Sequence, residues 1–122
     1  MSDEFLKLAR SEIQSEIDNL IDIFRVCTND DQLYKKSADI EKHMHKIKGL
    51  APMMEQRKVG EIARVSDLVL KYTIKNGTLK GSHILISEAV QTMNLFFNES
   101  INISENDFIK KAKTTFPQIT GF

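Results

Sequence analysis

His45 and Lys48 are the residues whose types and spacing best suit chemistry in this chain. They stand in HKIKG, residues 45–49, within the longer run HMHKIKGLAPMM at 43–54. A neutral imidazole keeps one ring nitrogen free as a nucleophile near physiological pH, because its unperturbed pKa is about 6.5. Side chains three apart on a helix are surface neighbours, so Lys48 would stand beside His45. There its ammonium can steady phosphoryl oxygens carried by the ring. A carboxylate from a neighbouring helix could accept the other ring N–H and set the tautomer. Gly49 costs a helix interior up to about 1 kcal/mol, and without a Cβ it leaves room for an approaching partner. The chemistry that fits is phosphoryl transfer through histidine, which rests on positioning and charge stabilisation.

Helices must position these groups. Leu6, Ala9, Ile13, Ile17, Leu20, Phe24 and Cys27 recur at steps of three and four, one face of a long helix. The TNDD stretch at 28–31 breaks it and offers caps for the next helix. Leu33, Ser37, Ile40, Met44, Ile47, Ala51 and Met54 repeat the pattern, and Pro52 should end or bend that helix. Val59, Ile62, Ser66, Val69 and Thr73, widened by Ala63 and Leu70, mark a third helix that KNG at 75–77 stops. A fourth, with Ser82 as its expected cap, buries Leu85, Ile86, Ala89, Val90, Met93, Phe96 and Phe97. Ser104 and Asp107 predict a capping box before Phe108, Ala112 and Phe116 of a short fifth helix. The expected fold is all-α, an up-and-down four-helix bundle with a fifth, C-terminal helix packed on one end. The whole chain, 1–122, reads as a single domain, with the tail after about residue 116 a frayed end or the start of a linker.

Within the second helix, Met44 and Ile47 point at the core. His45 lies about 100° round the axis from Met44, at the rim of the buried stripe. Glu41, His45, Lys48 and Pro52 share its outer face. His43 lies about 200° from His45, facing elsewhere, and reads as a solvated or partner-contacting side chain. His83 reads as a surface residue.

Composition excludes several classes. Seventeen basic and 17 acidic residues balance, which argues against a general nucleic-acid binder. A lone Cys27 and a start lacking a basic patch and apolar run point to a cytoplasmic chain, and no apolar stretch suits membrane insertion. No Glu-x-x-His or H-E-x-x-H occurs, and His43 and His45 diverge, so no metal site is expected. No phosphate-binding G-x-x-x-x-G-K-[ST] loop occurs, so ATP and Mg would be handled by another domain or chain and no cofactor is expected here.

The HKIKG stretch resembles the H-x-[LI]-K-G signature of histidine phosphotransfer (HPt) domains. Its place on the second helix of a five-helix chain, the GLAPMM continuation and the later KNG turn are most similar to the N-terminal phosphorylation-site domain of the chemotaxis kinase CheA. The resemblance spans roughly residues 3–116. It implies that His45 is phosphorylated by the ATP-binding catalytic domain of a histidine kinase and passes the group to an aspartate of a response regulator receiver domain. It also implies that Lys48 assists near the phosphoryl group and Gly49 gives access. An acidic residue on the third helix, placed at Asp67 with Glu61 as the fallback, would hydrogen-bond the imidazole. The chain departs from the pattern at three places: Asp67 stands where the family has glutamate, Arg64 where a second histidine is common, and the region of Glu55 where a glycine is usual. The other reading of the same chain is a helical adaptor bundle without phosphochemistry.

Overall fold

A computed structural model describes residues 2–99 and 104–122. Its elements are α1 (Asp3–Val26), α2 (Asp30–Leu50), a 3₁₀ turn (Pro52–Met54), α3 (Arg57–Asn76), α4 (Ser82–Asn98) and α5 (Asn106–Thr115). The fold is an all-helical bundle with a C-terminal helix, and no strand occurs among the described residues. Consecutive helices α1 to α4 pack side by side, and α4 returns to α1. The α2–α3 pairing is the most extensive. No helix among the described residues is long and apolar enough to cross a membrane.

Most of the stripes read from sequence are the core, while Leu6, Phe24, Met54 and Phe96 are only partly buried. Ile13, Ile17, Leu20, Leu33, Ile40, Met44, Ile47, Ile62, Val69 and Ile86 are fully buried. Burying one such side chain contributes about 1.5–3 kcal/mol, so these stripes fix the rotation of each helix and hence what each outer face presents. Caps set the boundaries. Asn29 accepts from the Gln32 amide at 2.9 Å, while the Gln32 side chain accepts from the Thr28 amide at 2.7 Å.

The cap of α4 differs from the expectation. Ser82 is buried and donates backwards to the Leu79 carbonyl at 2.6 Å. The first amides of α4 are satisfied instead by Asp30, at the start of α2, which accepts from Gly81 and His83 at 2.9 Å each. A remote carboxylate does the same work as a local hydroxyl, with the helix dipole favouring its charge. The expected Ser104–Asp107 box is also not formed: Ser104 accepts from the Asn106 amide at 3.1 Å, one residue too early for it.

The fifth helix lies along the α3–α4 side rather than on one end. Its start is tied to the start of α3 by Arg57 and Glu105 at 2.5 Å, its middle to α4 by Lys111 and Glu88 at 2.6 Å, and its end approaches Gly81. The tail does not fray: Ile119 is buried, and the Gly121 carbonyl accepts from Arg64 at 2.6 Å.

The turn between α2 and α3 decides how the two helices meet. Pro52 cannot continue α2, and the 3₁₀ turn ends at Glu55 in the left-handed region, φ 57° and ψ 24°. This is where the resembled family has a glycine, the residue that adopts such angles without a Cβ penalty. Gly60 then lets α3 come close: a Cβ there would meet the Pro52 ring at 3.3 Å.

Candidate functional site

The α2–α3 pairing brings Glu41, His45 and Lys48 of one helix against Asp67 and Lys71 of the next. Asp67 is 1% exposed, on the inner side of α3. Its Oδ2 accepts from Lys48 Nζ at 2.8 Å and from Lys71 Nζ at 2.9 Å. His45 Nδ1 stands 3.9 Å from the same oxygen, while the imidazole side chain is 60% exposed.

That arrangement amends the expected network. Asp67 is the carboxylate that approaches His45, but 3.9 Å is beyond a hydrogen bond. The short side chain, anchored in the interior, gives its outer oxygen to the two lysines first. Glu61, the fallback, is held by Arg64 at 2.8 Å. Arg64 also donates from Nη1 to the tail carbonyl of Gly121. Lys48 is 30% exposed and fixed by Asp67, so its ammonium is positioned beside the ring rather than freely solvated.

Electrostatics follow from this crowding. Burial pushes the Asp67 carboxyl up, but hydrogen bonds from Lys48 and Lys71 outweigh it and hold the group below the usual carboxylate range. Glu41 is pushed the other way, by burial first and then by the neighbouring Asp67 carboxylate. Lys71 is raised by its contact with Asp67. An ionised, buried carboxylate thus sits behind an exposed imidazole.

Gly49 is exposed, and a Cβ there would meet nothing within 4 Å. Packing inside this chain therefore gives no reason for glycine at that position. Below it, Lys48, Arg57, Arg64, Glu55 and Glu61 line an open cleft between α2 and the start of α3.

The other histidines have structural tasks. His43 contacts Glu16 of α1 through Nδ1, and its side chain is only 13% exposed, so it is not the solvated residue expected. His83 Nε2 meets the Cys27 carbonyl at 2.7 Å, and its ring lies tilted against Phe24 with centroids 5.6 Å apart, closing the end of α1. Cys27 is core, as expected, and burial raises its thiol pKa.

Sequence reasoning placed Glu41 on the face of His45 but not in contact with Asp67, and it passed over Lys71. Both carried a signal: Glu41 and His45, like Asp67 and Lys71, are four apart and so stack on one helix face. Comparison with protein-family models, with curated proteins and with solved structures found no match for this chain. The site is therefore read from its own geometry. An exposed imidazole, a fixed ammonium one turn away and a buried carboxylate behind both suit the acceptance of a small anionic group from a docking partner.

Proposed function

We propose that this chain is a cytoplasmic histidine phosphotransfer domain of a chemotaxis-type two-component system. In this reading His45 Nε2, the ring nitrogen turned away from Asp67, attacks the γ-phosphorus of ATP held with Mg by a kinase catalytic domain. The N–P bond forms as the P–O bond to ADP breaks, and the bonding pair leaves on the ADP oxygen. A second displacement hands the group to an aspartate oxygen of a receiver domain. Nδ1 keeps its proton, favoured by the Asp67 charge, which leaves the Nε2 lone pair outward. Lys48 meets the incoming negative oxygens, and the open space above Gly49 admits the partner.

The observation that carries this reading is the 60% exposed His45 ring set 3.9 Å from a carboxylate that is itself 2% exposed. The fixed negative charge behind Nδ1 favours the tautomer whose other nitrogen carries its lone pair toward solvent, where a partner can reach it. The test is incubation with a chemotaxis kinase core and ATP. Acid-labile, base-stable phosphohistidine should form on the wild-type chain and be absent from His45→Gln with an unchanged helical spectrum. Label retained in that variant refutes the assignment.

A further inference from the structure

The geometry points to a second occupant of the same corner: a divalent transition metal, zinc foremost, bound by Glu41, His45 and Asp67. One ligand atom from each of the three lies within 4.8 Å of the others. A tetrahedral zinc with bonds of about 2.0–2.2 Å holds its ligand atoms about 3.4 Å apart, so the set closes on an ion with side-chain shifts of about 1 Å. Glu41 and His45 come from one rigid helix at i and i+4, and the exposed His45 ring has freedom to turn.

A second observation points the same way. Asp67 uses Oδ2 for both lysines, but Oδ1, buried with the rest of the side chain, has no hydrogen-bond donor. A buried carboxylate oxygen left bare is costly, and it is relieved by a proton or by a cation. The Asp67 side chain has a second carboxyl group, Glu41, and the His45 imidazole as neighbours, and one ligand atom from each falls within the same small space. One nitrogen and two oxygens suit zinc and its neighbours in the transition series, whereas magnesium and calcium favour all-oxygen shells. Lys48 and Lys71 already offset the Asp67 charge, so binding should be moderate and reversible. The exposed side of His45 leaves a fourth position open.

Bound through Nδ1, the ion would move the imidazole proton to Nε2 and remove the lone pair that accepts phosphorus. That consequence rests on the proposed function, whereas the metal site does not. Calorimetric titration of the chain with zinc chloride, and the visible spectrum with cobalt, test the site directly. The expected result is one saturable ion per chain, lost in His45→Gln, weakened by about tenfold or more in Glu41→Gln and Asp67→Asn, and unchanged in His43→Gln. Glu41 is half-exposed, so its variant should keep the fold if Asp67→Asn does not. Absence of saturable binding, or equal affinity in Glu41→Gln and wild type, overturns the site. Zinc should slow phosphohistidine formation on wild type at about tenfold lower concentration than on Glu41→Gln, and an equal response in both overturns the inhibition. A chain that is never labelled defeats the phosphotransfer reading alone, and calorimetry still decides the metal.

Discussion

His43 and His45 are the same residue type on the same helix, two positions apart, and the bundle gives them opposite work. His43 turns toward α1, where its ring meets Glu16, a carboxylate only 5% exposed, with Lys46 3.4 Å from the other oxygen. His45 turns toward α3 and stays 60% exposed, short of contact with a carboxylate that two lysines have taken. One histidine completes a buried pair; the other is left incomplete beside one. The difference lies in how far each ring is committed: His43 is 13% exposed with Nδ1 on a buried carboxylate, whereas His45 keeps its ring in solvent.

The contrast can be broken most forcefully by exchanging the two losses. His45→Gln should abolish labelling while shifting stability by no more than about 0.5 kcal/mol, since it touches an exposed side chain. His43→Gln should do the reverse, keeping the label and losing about 1–3 kcal/mol, because it leaves the Glu16 carboxylate buried with a poorer partner. Urea titration read alongside phosphohistidine formation separates the two. A His43 variant that folds normally and cannot be labelled would end the division of labour.

A smaller effect is expected at Lys48. Lys48→Ala should slow labelling by on the order of tenfold, about 1.4 kcal/mol of barrier, with a lesser change in stability. An equal fall in both would make it a structural lysine paired to Asp67. Gly49→Ala sharpens the comparison further, because nothing in the chain opposes a Cβ there. It should stabilise α2 by up to about 1 kcal/mol and yet slow transfer from the kinase, a split between melting temperature and labelling rate.

The smallest effect concerns acid stability away from the site. The Glu105 carboxyl is held below its ordinary value of 4.5, first by its backbone hydrogen bond and then, against burial, by Arg57. A depressed carboxyl contributes stability that is present above 4.5 and lost as pH falls through the folded value. Glu105→Gln should therefore flatten the acid limb of the stability curve below pH 4.5 and leave labelling unchanged. A steeper acid limb in that variant would contradict the sign.

How much of this was legible beforehand depended on the range of the interaction. The helix stripes, the break at TNDD and the stop at KNG are local, and each matches an element boundary within a residue or two. The expected caps at Ser82 and Ser104 failed because the amides found other partners, a remote carboxylate in one case and a nearer register in the other. At the site, placing His45 at the rim of the buried stripe followed from helical periodicity alone, and the ring is exposed as that geometry requires.

The chain's own order of residues determined which side chains share a helix face, because 3.6 residues per turn is a property of the backbone. It put Glu41, His45 and Lys48 together and set His43 apart from them. What it did not determine is which faces meet. Only the packing of α2 on α3, through Pro52, the left-handed Glu55 and the bare Cα of Gly60, decided that Asp67 would lie behind His45 and that Lys48 would reach it first. Contacts between helices depend on distances of a few tenths of an ångström across a turn, and those are settled by the close packing of the whole core.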